Sequence, residues 1–354
     1  MLRRKNSAAP PGAGVMHRMA AAVLAAAIGL TAAAAAQAAD QAVIVMYHRF
    51  NEGDFPSTNI RLDQFDQHLT ELASGKYTVM ALPDIVDALK AGKPLPDRAV
   101  AITIDDAYAT VYEHAFPRLR QAGFPFTVFV ATEQVDRGLK GMMTWDQLRE
   151  MQAAGATIGH HTVSHDHMPD ISLEKAAKEI DDATGRFEKE LGKAPRLFAY
   201  PYGEASLALE TLAKDKGFDA AFGQHSGVAH ASLGFFYLPR FALNESFGGI
   251  GRFRLAVNAL ALPVADVTPA DHLVGDENPP AMGFTLMAPP PKGIERIACF
   301  TSSEGRTRLE RLGETRVEVR VHQPFPQGRT RLNCTVPGPD GRWYWLGRQF
   351  YRGK

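Results

Sequence analysis

AVAITIDDAYAT, residues 99–110, decides the fold, and it is read together with IGHHTVSHDH, residues 158–167. The first stretch begins with a near-continuous apolar run through Ala99, Val100, Ala101, Ile102 and Ile104, the pattern of a strand buried on both faces, and ends in Asp105 and Asp106. Adjacent carboxylates at the end of a buried strand are costly unless something neutralises one of them. In the second stretch Ile158 and Gly159 close another short apolar strand, and His161 and His165 follow four positions apart. One carboxylate and two imidazoles form a mixed ligand set for Zn²⁺ or a similar divalent ion, with a position left for water and substrate. The other carboxylate is then free to be a base. The bland alternative is a strand-end turn or helix cap at the aspartates and a solvated histidine loop. His160 adjoins the set as a further ligand candidate, and His167 is expected to orient a partner or face water.

Working outward, AVIVMY, residues 42–47, reads as a first strand that ends at His48 and Arg49. In an α/β barrel that end carries active-site residues, although a surface pairing of His48 with Asp54 is also open. IRLDQFDQHLTELA (60–73) has a helical period, KYTVMAL (76–82) reads as a strand and LPDIVDALKAG as a helix stopped at Gly92. VYEHAFPRLRQAG is expected to be a helix kinked near Pro117, and FPFTVFVAT (124–132) a buried strand. Thr144 and Ser172 are N-cap candidates for the two helices that follow, and the charges of SLEKAAKEIDDATGRFEKELG (172–192) read as a solvated face. The repeated strand and helix rhythm indicates parallel β/α architecture from residue 40 to about 250.

These motifs resemble the polysaccharide deacetylases that share the NodB homology domain. The family's T-F-D-D-G is similar to Thr103, Ile104, Asp105, Asp106 and Ala107, and its H-[ST]-x-x-H to His161 through His165. The resemblance implies that Asp105 is the catalytic base and that Asp106, His161 and His165 hold one divalent ion, Zn first, with Co, Ni or Mn as substitutes. It also implies a distorted (β/α) barrel of seven strands. A third motif, F-R-x-P-Y-G, resembles Phe198 through Gly203 with its arginine lost to Ala199. Pro201 and Gly203 then fix a tight loop, and a backbone N–H at or beside Tyr202 points at developing oxyanion charge; an aromatic plug of the barrel mouth is the alternative. Arg240, in the L-P-R segment, is the candidate to replace the lost arginine beside Asp105. The family's late L-x-x-H is missing, so the general acid is sought in His48 first, His225 second and metal-bound water third. If His48 is the acid, its charged form needs a nearby carboxylate, Asp105, and it governs the alkaline limb of the pH profile.

Past residue 260 the composition changes. LPVADVTPADHL and MAPPPKG are Pro-rich, and they precede short alternating segments separated by S-E-G, P-Q-G and P-D-G turns. A small β-sandwich is expected over 265–354, after a catalytic domain at 40–255. It holds both cysteines of the chain, Cys299 and Cys334, whose pairing in an oxidising compartment would staple it. Trp343 and Trp345 share one strand face and Tyr344 takes the other, either as sandwich core or as platforms for sugar rings.

The 39 Lys and Arg balance the 39 Asp and Glu, which excludes a nucleic-acid partner held by excess positive charge. Arg3, Arg4, Lys5 and Arg18 precede an alanine-rich apolar run, and Ala36 and Ala38 satisfy a small-x-small cleavage pattern. Residues 1–39 therefore read as a signal peptide, and the mature chain as periplasmic or secreted with no remaining membrane span. The reaction expected is metal-dependent removal of N-acetyl groups from an N-acetylglucosamine-containing polysaccharide. A catalytically inactive carbohydrate-binding or envelope-scaffold protein, or a deacetylase acting on another amide or ester, is the alternative.

Overall fold

The apolar run at 99–104 becomes the central strand of a curled parallel sheet in the computed structural model, which describes residues 40–287 and 291–353. The segment read as a signal peptide lies outside the described residues. The strands that position the site are β1 (Gln41–Tyr47), β2 (Ala99–Asp105), β3 (Phe126–Val130), β4 (Thr157–His160), β5 (Leu197–Ala199), β6 (Ala220–Phe222) and β7 (Phe241–Ala242). From β1 to β6 each strand pairs in parallel with the next, and β7 pairs in parallel with the free side of β1. All seven positions of β2 are buried, because neighbours flank it and helices cover the sheet. Leu238 bridges to Phe222 in β6 and Phe241 pairs with Val45 in β1, so one extended segment brings the two edges of the sheet together. The result is a distorted (β/α) barrel of seven strands.

Local chemistry explains most element ends. Thr144 accepts a hydrogen bond from the Gln147 N–H at 3.3 Å and Ser172 one from the Lys175 N–H at 3.2 Å, each capping its helix. Pro117 lacks the N–H for a regular helix interior, and a π-helical turn at Val111–Ala115 leads into the α-helix Phe116–Ala122. The strand expected over 76–82 shortens to Thr78–Val79, since Leu82 and Pro83 already start the helix Leu82–Lys90.

The C-terminal part is a sandwich of two sheets. One contains β8 (Ala298–Thr301), β9 (Gly328–Pro337) and β10 (Trp343–Arg352), with Leu260–Ala261 and Gly305–Arg306 at its edges. The other has four strands, Val264–Thr268, Met282–Leu286, Arg316–Arg320 and Arg308–Leu312 in spatial order. Along β9, Thr330, Leu332, Cys334 and Val336 are buried, and the inward side chains of this sheet meet Phe284, Val317 and Val319 of the other. Arg329, Arg331 and Asn333 alternate onto the opposite face.

Cys299 and Cys334 lie directly opposite each other on β8 and β9 and are joined as a disulfide. Alkylation under denaturing conditions followed by intact-mass measurement should find no free thiol at either position. Two alkylated cysteines in freshly prepared protein would contradict this.

Among the described residues the sandwich and the barrel belong to one compact unit. A Cβ at Gly347 of β10 would collide with the Ser226 carbonyl in the loop after β6, so this glycine permits the two backbones to touch. The Gln349 amide donates to the carbonyls of Tyr202 at 3.1 Å and Gly203 at 2.8 Å, and Arg342 pairs with Asp97 at 2.7 Å. Trp345 packs edge-on against Phe241 of the barrel, ring centres 5.2 Å apart, whereas Tyr344 joins the sandwich core. The aromatic pair thus divides between the two halves of the molecule. Among the described residues no helix is long and apolar enough to cross a membrane.

Candidate active site

The C-terminal ends of the parallel strands meet on one side of the barrel, and each supplies a side chain or loop there. His48 follows β1, Asp105 ends β2 with Asp106 next, His161 follows β4, the Tyr200–Gly203 turn follows β5 and Gln224 follows β6. His48, Asp106, Tyr202 and Gln224 line a cleft of about 920 Å³, with Asp105 and His161 buried in its floor.

Asp106, His161 and His165 offer ligand atoms that all lie within 4.8 Å of one another. His161 Nε2 is 3.2 Å from His165 Nε2, and Asp106 Oδ1 is 3.8 and 3.5 Å from those two nitrogens. The Nδ1–H of His161 donates to the Ala199 carbonyl at 2.6 Å, which leaves the Nε2 lone pair turned to the cluster. Burial, with help from neighbouring His165, lowers the His161 pKa to about 4 against the pull of both aspartates. A neutral imidazole, a second imidazole and a carboxylate so close together fit a divalent cation of the Zn class.

The backbone is bent to achieve this. Asp106, Thr162, His165 and Tyr202 have φ of 61°, 69°, 62° and 58°, in the left-handed region that non-glycine residues seldom adopt. Glu179, on the helix Leu173–Leu191, braces the histidine loop: its Oε2 accepts from the Val163 N–H at 3.1 Å, the Ser164 N–H at 2.8 Å and the Ser164 hydroxyl at 2.9 Å. The charges of that helix are therefore not all a solvated face.

Asp105 is fully buried and makes a two-pronged pair with Arg240, Oδ1 to Nη1 at 2.6 Å and Oδ2 to Nη2 at 2.7 Å. Arg240 is itself buried, with Nε donating to the Gly223 carbonyl at 2.9 Å and its guanidinium over the Phe129 ring. Burial works to raise the Asp105 carboxyl, but the charge and hydrogen bonds of Arg240 hold it well below the usual carboxylate range. Arg240, immediately before β7 and so two strands across the sheet from β2, thus supplies the arginine that Ala199 does not.

Gln224 was not singled out by its sequence, which gives an isolated glutamine no distinguishing pattern. Its Nε2 donates to Asp105 Oδ2 at 3.3 Å and it lines the cleft. A Cβ at Gly203, where φ is 67°, would collide with the Gln224 backbone, so the Tyr200–Gly203 turn and Gln224 are packed as one piece. Pro201 and Gly203 are buried beneath that turn, and Tyr202 lines the cleft, stacked on His167 at 4.1 Å and edge-on to His165 at 4.5 Å. His167 in turn meets Glu204 at 2.6 Å, outside the metal cluster.

His48 lines the cleft with Asp106 and His165 and makes no pair with Asp54. His225 does not line it. Its ring sits behind the cleft against Tyr237 at 4.6 Å, in a buried cluster where Tyr237 meets His272 and His272 Nε2 lies 3.1 Å from Glu210. The alternation along the chain after β6 turns Gln224 and Ser226 to the cleft and His225 away, which removes it as the second candidate for the acid. His160 is also structural: it is fully buried among Phe187, Phe198 and Phe218, Nε2 donates to the Ile180 carbonyl at 3.1 Å, and burial lowers its pKa to about 3.

Residues 92–221 match the family model described as polysaccharide deacetylase. Among curated proteins, a putative polysaccharide deacetylase YxkH of Bacillus subtilis is 24% identical over 58% of this chain and 72% of its own length. A poly-beta-1,6-N-acetyl-D-glucosamine N-deacetylase of Escherichia coli is 26% identical over 54% of this chain, a region that is 35% of that protein. The solved structure of IcaB from Ammonifex degensii is similar with 27% identity and a TM-score of 0.54, covering 59% of this chain and 94% of that one. The Streptococcus pyogenes deacetylase PplD shares the fold at 22% identity and a TM-score of 0.57, over 61% of this chain and 98% of that one.

Proposed function

We propose that this chain, a member of the polysaccharide deacetylase family through its barrel and a metal-dependent hydrolase by its ligand cluster, removes N-acetyl groups from an N-acetylglucosamine-containing polysaccharide outside the cytoplasm. The observation that carries this reading is the Asp106–His161–His165 cluster beside a separate, arginine-paired Asp105 at the barrel mouth. The relatives named for N-deacetylation of poly-beta-1,6-N-acetylglucosamine support the substrate class. The disulfide and the basic, then alanine-rich, N-terminal sequence support a periplasmic or secreted location.

Asp106, His161 and His165 would hold a divalent ion, Zn first, which when bound would supply Lewis-acid chemistry for the amide oxygen and lower the pKa of a nearby water. The rest falls to protein groups. Asp105, fixed by Arg240 and Gln224, takes the proton as water adds to the acetyl carbon. The turn at Tyr202 faces the oxygen that gains charge. Because Arg240 makes protonated Asp105 a strong acid, the proton does not rest there. His48, in the same cleft, is the group placed to accept it and hand it to the departing amine, and acetate and a free amino sugar result.

The electrostatics of His48 reverse one sequence expectation. Burial is the largest influence and lowers its pKa, with Arg240 and His165 adding to this and Asp105 and Asp106 opposing it, so the imidazole enters the cycle neutral. The limb of the kcat/KM profile that it governs is therefore acidic: activity is lost as falling pH protonates it. In His48→Gln that limb should disappear, with activity on the acetamide down about 10²-fold and activity on an acetyl ester with a good leaving group largely spared. An unchanged acid limb with equal losses on both substrates would take the role from His48.

The function itself is tested by acetate release from chito-oligosaccharides, β-1,6-linked N-acetylglucosamine oligomers, peptidoglycan and acetylated xylan, with and without metal. Release from the N-acetylglucosamine polymers only when metal is present is expected. Binding without release would favour a glycan-holding protein, and release from xylan alone an esterase.

A further inference from the structure

We propose that the cleft is built for an acidic glycan, one whose chain carries carboxylate or phosphate groups near the N-acetylated sugar, and that the sandwich supplies the cationic wall that recognises it. This rests on the deacetylase reading of the site and specifies its substrate. The outward face of β8, β9 and β10 closes one side of the cleft through Phe300, Arg329, Arg331, Asn333 and Trp345, and Arg252 of the helix Ile250–Val257 stands beside it. Exposed aromatic faces suit sugar rings, and Phe300 is 43% exposed.

The charges on this surface are one-sided. Asp106 is the only carboxylate that lines the cleft among the described residues, and it belongs to the metal cluster. Three arginines line it. Arg329 is partly neutralised by Glu204, 3.6 Å away. Arg331 has no carboxylate within ion-pair distance among the described residues, and burial and the charge of Arg329 both disfavour its cation. Arg252 lies over the rings of Phe241 at 5.4 Å and Trp345 at 5.2 Å, and its Nη1 is buried without a hydrogen-bond partner. A half-buried guanidinium with no carboxylate beside it is costly, and an anion brought into the cleft offsets that cost. A neutral polymer offers no such anion. A metal ion would add positive charge to the same cleft, and the ammonium of the product would be repelled from it, which helps release.

The test is binding to the full chain with Asp105→Asn, zinc-loaded so that ligand is not turned over, followed by calorimetry at low and high salt. The probes are chitohexaose, a hexasaccharide alternating N-acetylglucosamine and glucuronic acid, and a chitohexaose bearing 6-phosphate groups. At low salt at least one acidic probe should bind about tenfold tighter than chitohexaose, and high salt should shrink the difference. Adding Arg331→Gln, on the outward sheet face, should remove most of that preference. Arg320→Gln, of the same charge change on the other sheet, should leave it. The carboxylate and phosphate arms tell the two anion sources apart. Equal binding of acidic and neutral probes, or an equal loss in Arg320→Gln, overturns the proposal. Acetate release by the parent enzyme is read separately: release from chitohexaose without any acidic preference sinks this inference and leaves the deacetylase reading intact, whereas tight acidic binding with no release from any probe sinks the deacetylase reading.

Discussion

Asp105→Asn should lower kcat by about 10³-fold or more while the affinity for Zn²⁺ stays near that of the parent, and Asp106→Asn should lose both. The two carboxylates are neighbours in sequence, but β2 ends between their roles. Asp105 still has strand geometry, faces Arg240 and Gln224 and lies outside the ligand cluster. Asp106 turns into the left-handed region, φ 61°, and joins the two histidines. An asparagine at 105 keeps the size of the side chain and one oxygen that accepts from Arg240, but its amide nitrogen cannot accept and it cannot take a proton from water. At 106 the same change removes the only anionic ligand. Zinc titration beside steady-state kinetics reads both halves. Equal losses of metal from both variants would merge the roles, and an Asp105→Asn enzyme with parental kcat would remove Asp105 as the base.

Much of this division was legible because its causes are local. A buried apolar run must be a covered strand, and a strand that ends in two carboxylates must place them where charge is tolerated, at the mouth of the barrel. His161 and His165 could be read the same way from the strand before them. Arg240 was reachable by a slightly longer argument: a buried base needs a cation, Ala199 does not provide it, and L-P-R stands near another strand end. What remained hidden depends on non-local packing. Gln224 and His225 are adjacent, and only the direction in which the chain leaves β6 decides that the glutamine meets Asp105 while the histidine is sealed behind Tyr237. Glu179 looks like any charge on an amphipathic helix until the histidine loop is folded over it.

The sandwich taught the same lesson at larger scale. Alternation along β9 and β10 shows two faces but not which one meets the barrel. Trp345 could equally have filled the sandwich core. The absence of a side chain at Gly347 is what lets β10 lie on the loop after β6, and that contact turns the arginine-bearing face toward the metal cluster. The cleft is thereby lined by both halves of the chain, whereas the ligand cluster comes from the barrel alone.

Arg240→Met is expected to cost about 3–5 kcal/mol of stability at neutral pH and to lower kcat/KM by about 10²-fold or more, because it strands a buried carboxylate. In the parent, Arg240 overrides burial and depresses the Asp105 pKa, so the pair's stabilisation is present above the unfolded carboxylate value of about 4 and is lost as pH falls through the lower folded value. Without Arg240 burial is the largest remaining influence and raises that pKa, so the variant gains stability as pH falls and Asp105 becomes protonated. The stability gap between parent and variant should therefore be widest at neutral pH and narrow on acidification. Asp105 should then add an acid limb of its own, above the one that His48 governs in the parent, since the base is now neutral where it was ionised. Denaturant melts across about pH 4 to 7, beside pH-rate profiles, measure both. A gap independent of pH with no added acid limb would show that Arg240 acts through its packing on Phe129 and not through the carboxylate. The double variant Asp105→Asn with Arg240→Met separates these further: an uncharged pair in the same space should recover much of the lost stability and none of the activity.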